Sequence, residues 1–201
     1  MSHDHKHADK HDHKHQDNKH QGQKDTEGVS PKSGKHHHRA EAAAQVSVVV
    51  VTVSDTRTLE TDTGGALVAE MLEAADHKVH GRQVVKDEPE AIAKAAREGL
   101  VAEGVGALIF TGGTGVAPRD VTPESIEPLL ERTIPGFGEI FRQLSYEEIG
   151  SAALLSRATA GLAQGRVVFV IPGSRGAVRL AMEKLIVPEL GHLAAEAVKT
   201  R

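Results

Sequence analysis

The chain has 201 residues, 24 Lys and Arg against 28 Asp and Glu for a net charge of −4, no cysteine, four Phe, one Tyr and no Trp. The lack of cysteine excludes disulfides, thiolate metal sites and cysteine nucleophiles. The acidic balance and scarce aromatics argue against nucleic-acid binding, which draws on clustered cations and stacking platforms.

Ten of the thirteen histidines fall in residues 1–39, which carry eight Lys and Arg against six Asp and Glu and almost nothing apolar. Such a segment cannot bury enough surface to offset its ordering entropy, so 1–39 is expected to be a disordered His-rich tail ahead of one domain over 40–201. Two readings stand for the tail: a metal-handling segment, or a polar extension or affinity tag outside the fold. No apolar stretch reaches membrane-spanning length and the first residues are too polar for a signal peptide, so the expectation is a cytoplasmic protein with no membrane partner.

The run over 46–53, VSVVVVTV, is apolar without alternation, as suits a strand buried on both faces of a parallel sheet. It ends in Ser54-Asp55-Thr56-Arg57, and Leu67, Met71, Leu72 and Ala75 follow at helical spacing. A second strand over 78–85 precedes Asp87-Glu88-Pro89-Glu90, where Asp87 and Glu90 read as a helix capping box. A third strand over 107–110 runs into Thr111-Gly112-Gly113-Thr114-Gly115, then to Arg119-Asp120-Val121-Thr122-Pro123. Thr122 is read there as a helix cap and Pro123 as the first helical residue. Glycines let a backbone turn sharply and present free amides to an anion, so a phosphate-bearing ligand is the first guess for this loop. It lacks the closing Lys-Ser/Thr of a Walker A motif and does not match G-x-G-x-x-G.

Beyond that helix, Pro135-Gly136-Phe137-Gly138-Glu139 turns into a helix expected over 138–148. The small-residue stretch 151–161 resists assignment, a fourth strand covers 166–171, and helices follow Pro172-Gly173-Ser174. Strand-helix units in series predict an α/β fold, three layers with a mainly parallel sheet and helices on both faces. Ligands of such sheets bind beyond the carboxyl ends of the strands, where Asp55, Asp87 and the TGGTG loop all fall.

Five motifs, SDTR at 54–57, TGGTGVAPRDVTP at 111–123, PGFGE at 135–139, SRA at 156–158 and PGS at 172–174, occur in this order. Together they resemble the MoaB/MogA family of molybdenum cofactor biosynthesis proteins over essentially all of 44–200. The resemblance implies an α/β/α domain assembling as a homo-oligomer, trimer or hexamer, that binds molybdopterin. In active members it implies transfer of AMP from Mg-ATP to the molybdopterin phosphate, with the product passed to a downstream molybdate-insertion protein. A non-catalytic molybdopterin-binding or scaffold protein of the same pathway is the alternative.

By that resemblance Asp87 and Asp120 are the two aspartates needed for adenylyl transfer and the candidate holders of Mg2+. The backbone of Gly112, Gly113, Thr114 and Gly115, with the hydroxyls of Thr111 and Thr114, would cradle phosphate. Ser54, Asp55, Glu139, Ser156, Pro172, Gly173 and Ser174 match positions at the substrate. Arg157 would grip the molybdopterin phosphate, a guanidinium being able to bind two oxygens at once. Bland readings stand beside these: Asp120 as a loop acid paired with Arg119, Arg157 bridged to a surface acid, Glu139 as a first-turn helix acid, and Ser174 as a simple N-cap.

Overall fold

The computed structural model describes residues 45–199, so the expectations for the His-rich tail lie outside the described residues. Six strands form one sheet in the order β2-β1-β3-β6-β5-β4. β1 (Ser47–Val53) lies between β2 (Lys78–Val85) and β3 (Ala107–Thr111), and β3 lies against β6 (Arg166–Ile171), all parallel. β5 (Thr159–Ala163) runs antiparallel to β6, and the two-residue β4 (Arg132–Thr133) antiparallel to β5. The expected mainly parallel sheet is found, with an antiparallel margin that the sequence reading left unassigned.

Both faces of the sheet are covered, which is why β1 reads as continuous valine. Val48 and Val50 belong to a core shared with Leu72 of α1 (Thr63–Ala74), Val178 of α5 (Arg175–Ala181) and Leu190 of α6 (Val187–Ala197). Val49, Val51 and Val53 face the opposite core, with Ile92 and Leu100 of α2 (Pro89–Val101) and Ile126 of α3 (Thr122–Ile126). Each fully buried side chain of this size contributes roughly 1.5–3 kcal/mol. At the start of β1 the Val46 amide donates to His77 Nδ1 (3.2 Å), and burial holds that imidazole below its ordinary pKa.

Three local expectations are corrected and one open stretch is assigned. The Asp87/Glu90 capping box does not form: Pro89 is at the first helical position, which makes Glu88 the N-cap, and no side chain caps the helix. Thr122 is already helical, with Val121 as N-cap and Pro123 in the first turn, so its hydroxyl caps nothing. The PGFGE helix, α4 (Pro135–Ile149), begins three residues early, because Pro135 fits a first helical position. The unassigned 151–161 stretch divides into a 3-10 turn (Gly150–Leu155) and β5. Ser174, read as a cap, does accept from the Ala177 amide (3.3 Å).

Candidate functional site

The carboxyl ends of β1, β3 and β6 meet at the glycine loop. Gly112 (φ 103°) and Gly113 (φ 61°) take left-handed backbone that side-chain-bearing residues avoid. A Cβ on Gly112 would also strike the carbonyl of Val53, and one on Gly173 would lie 3.2 Å from Gly112 Cα. Loops from three strands therefore touch backbone to backbone. The Gly112 amide donates to Ile171 O (3.0 Å) and the Thr111 hydroxyl to Pro172 O (3.2 Å). These two groups of the expected cradle are thus spent inside the protein. The amides of Gly113, Thr114 and Gly115 have no acceptor among the described residues.

A cavity of about 400 Å³ gathers much of the expected site: Gly112 to Gly115, Asp120, Ser156 and Pro172 to Ser174. Asp120 leans on Gly115, whose added Cβ would lie 2.7 Å from Oδ2, and that oxygen accepts from the Ala117 amide (2.9 Å). Asp87 leans on Gly113, whose Cβ would lie 2.9 Å from its Oδ1. The two aspartates thus flank the same short loop. Burial is the main force raising the Asp87 pKa above the ordinary carboxyl value; the Val121 amide and Arg119 oppose it, and the charges of Asp120 and Asp55 add to it.

Arg119 pairs with Asp55, not with Asp120 as the bland reading of that aspartate had it. Asp55 Oδ1 also accepts from the Asp87 amide (3.3 Å), so Asp55 orients the start of the Asp87 segment. Ser54 accepts from the amides of Thr56 and Arg57, which shapes its own turn, and its side lines a separate surface groove with Arg57 and Lys86.

Arg157 is heavily committed. Its Nε donates to Gly115 O (2.7 Å), Nη2 donates to Asp120 O, and Nη1 pairs with Glu124, while its amide donates to Thr114 O (3.1 Å). It holds the glycine loop and the Asp120 backbone in one frame. Glu139 and Arg157 line a second cavity of about 430 Å³, with Arg142 and Leu154, and Ser156 lines both cavities.

Four buried side-chain polar atoms lack a partner among the described residues: Asp87 Oδ1, Thr122 Oγ1, Ser156 Oγ and Arg166 Nε. The first three belong to this site. An unsatisfied buried polar group costs about 1–3 kcal/mol, so their gathering here marks a place a ligand or solvent would complete. Thr122 was missed as a site residue because it reads as a cap; a Cβ on Gly113 would collide with its hydroxyl. Asp62 was also passed over. It is buried, caps α1 through the Gly65 amide (2.9 Å) and accepts from Thr52 Oγ1 (2.8 Å). Its position ahead of Thr63-Gly64-Gly65 was the available signal.

Asp87 and Asp120 offer hard carboxylate oxygens, and Asp87 Oδ1 is unpartnered. Such a pair suits Mg2+, which is commonly held by one or two carboxylates and completed by substrate phosphates. Among the described residues no three His, Asp or Glu side chains are grouped to hold a metal without such help. Nor, among them, is any helix long and apolar enough to cross a membrane.

A family model described as a probable molybdopterin binding domain matches residues 49–192. The molybdenum cofactor biosynthesis protein B of Bacillus subtilis is 52% identical over 165 residues, covering 82% of this chain and 97% of the relative. A crystal structure of a molybdenum cofactor biosynthesis protein B, 51% identical, superposes with a TM-score of 0.76 over 77% of this chain and 97% of that one. The tungsten cofactor synthesizing protein MoaB of Pyrococcus furiosus, 37% identical, gives 0.70 over 77% and 98%. By domain match, identity and fold, this chain belongs to the MoaB/MogA family of molybdopterin-binding domains.

Proposed function

We propose that the chain serves molybdenum cofactor biosynthesis by transferring an adenylyl group from ATP to molybdopterin. The observation that carries this reading is the loop itself: two aspartates flank a glycine turn whose amides at 113–115 have no acceptor among the described residues, with three buried oxygens around it that likewise lack a partner there. In this reaction an oxygen of the molybdopterin phosphate attacks the α-phosphorus of ATP. The bond from that phosphorus to the bridging oxygen breaks, and pyrophosphate leaves with the electron pair. A phosphate monoester is already mostly dianionic near neutral pH, so the nucleophile needs little activation, and positioning and charge neutralisation dominate.

In this proposal the amides of Gly113, Thr114 and Gly115 hold phosphate oxygens. Arg157 is a positioning residue, because its donors are engaged with Gly115, Asp120 and Glu124 rather than open to substrate. Asp87 and Asp120 would hold Mg2+, which supplies neutralisation of the phosphate charge. Ser156 and the Pro172 to Ser174 turn border the same space. The test is pyrophosphate release from Mg-ATP, with and without molybdopterin, on the wild type and Asp120→Ala. Molybdopterin-dependent release that collapses in the variant is expected; a folded wild type that binds molybdopterin without release would overturn the transferase.

The second reading, a non-catalytic molybdopterin-binding protein of the same pathway, is favoured by one observation. Among the described residues the aspartate pair has no third metal-binding side chain grouped with it. Retained molybdopterin affinity with no ATP binding would support it.

A further inference from the structure

Thr122 is fully buried, yet its hydroxyl has no partner among the described residues. Ser125, one turn on, gives its hydroxyl proton to Val121 O (2.7 Å), a common outlet for such a group on a helix. Thr122 stands at the first helical position, with no helical turn behind it to supply such a carbonyl. Its amide donates to Gly113 O (3.0 Å), which holds the residue against the glycine loop.

The hydroxyl rests on the bare face of Gly113, 2.3 Å from where a Cβ would stand, and Asp87 Oδ1 lies 2.9 Å from the same point. No hydrogen bond joins these two oxygens, and Asp87 Oδ1 is likewise buried without a partner among the described residues. Two residues along the loop, Asp120 Oδ2 approaches Gly115 in the same manner, 2.7 Å from where its Cβ would stand. The space cleared by the two glycines is thus taken up by oxygen atoms.

Charge decides what suits those oxygens. Among the described residues neither Asp87 nor Asp120 is in an ion pair, and Arg119 is taken by Asp55. Asp120 and Asp55 already act on Asp87 with like charge, so a further anion beside it would be repelled. A cation accepts lone pairs from hydroxyl and carboxylate alike. Both are hard oxygen ligands, and a Ser or Thr hydroxyl together with an Asp holds Mg2+ in P-loop enzymes.

We propose that Thr122 Oγ1 is a ligand of the divalent cation held by Asp87 and Asp120, the third protein oxygen of that site. This rests on the adenylyl-transfer reading and supplies what the aspartate pair lacks, since no third His, Asp or Glu is grouped with it among the described residues. It also accounts for the orphaned hydroxyl, which destabilises the metal-free chain and is satisfied once the cation binds.

The test compares the full chain as wild type, Thr122→Val and Thr122→Ser by thermal melting. α,β-Methylene-ATP, whose carbon bridge blocks transfer, is present throughout, first with chelator and then with Mg2+. Mg2+ is a hard cation, so the histidines of residues 1–39 contribute little to the readout. In chelator Thr122→Val should melt at or above the wild type, because a methyl of the same shape removes an unsatisfied group. In Mg2+ the wild type and Thr122→Ser should gain alike, while the gain of Thr122→Val should correspond to roughly tenfold weaker binding or more.

A Thr122→Val chain that melts well below the wild type in chelator would overturn the assignment, because the hydroxyl would then be bonded within the protein or to a held water. So would a Mg2+ gain absent from the wild type or Thr122→Ser, or one undiminished in Thr122→Val. Pyrophosphate release measured in parallel separates this from the transferase. A Mg2+ gain that needs Thr122 but comes without release keeps the ligand and loses the transferase; molybdopterin-dependent release with equal gains does the reverse.

Discussion

The two cavities spend their polar groups in opposite ways. Around the glycine loop, most side chains are tied to the protein: Thr111 to Pro172, Arg157 to Gly115, Asp120 and Glu124, and Asp55 to Arg119 and the Asp87 amide. What remains open there, among the described residues, is backbone amide, an Asp87 carboxylate oxygen and the Thr122 and Ser156 hydroxyls. Around the PGFGE turn Glu139 and Arg142 are in no ion pair among the described residues, Arg142 giving one long hydrogen bond to Ala158 O. A rigid frame of amides suits phosphate, whose recognition is geometric and charge-driven. Open side chains of both signs suit a heterocycle, whose recognition is a pattern of donors and acceptors.

The contrast predicts a graded set of effects. Asp120→Ala, on the wired side, should lower molybdopterin-dependent pyrophosphate release by about 10²-fold or more while the melting temperature stays near wild type. Gly112→Ala should cost about 2–4 kcal/mol in denaturant unfolding, since its φ of 103° and the Val53 carbonyl both oppose a Cβ. By contrast Gly136→Ala, in the first turn of α4, meets nothing within 4 Å and should be neutral or stabilise by about 0.4–1 kcal/mol. Equal losses at both glycines would erase the distinction between a strained frame and a relaxed one. Arg157→Lys, which cannot reproduce three directed donors, should reduce turnover by roughly tenfold with pterin affinity retained.

The smallest effect concerns pH. The folded pKa of Asp87 is raised, chiefly by burial, so the native state holds that proton more tightly than the unfolded chain. Its contribution to stability is present below the ordinary carboxyl pKa and lost as pH rises from there through the raised folded value. Asp87→Asn should therefore melt above the wild type at neutral pH, with the gain vanishing in acid. Thermal melts across pH would check this, and a gain independent of pH would remove burial as the cause.

Much of the fold was readable from patterns that act locally. Unbroken valine in β1 and the apolar run of β3 require two covered faces, and both are covered. β5 was unreadable for a physical reason. Its TAGLA sequence carries one bulky residue, Leu162, and Gly161 is small because the Arg132 carbonyl and Leu130 press on it, a contact set by the edge strand. The Asp87/Glu90 capping box failed where a closer signal was present, since Pro89 at the first helical position already points to Glu88 as the cap. The positions of Asp120 and the free amides followed from one contiguous loop. That Arg157 is consumed, and that Arg142 is not, depends on partners more than thirty and sixteen residues away respectively, beyond any local pattern.

The hydrogen bond from the Val46 amide to His77 fixes where the chain enters the sheet. That entry is at the start of β1, and the glycine loop lies past its other end, about 20 Å away along seven residues of strand. A bulky group attached at exposed Gln45, beside that bond, would therefore sit behind the sheet. Both cavities belong to the opposite rim of the sheet, so chain labelled at that end should bind its ligands as unlabelled chain does.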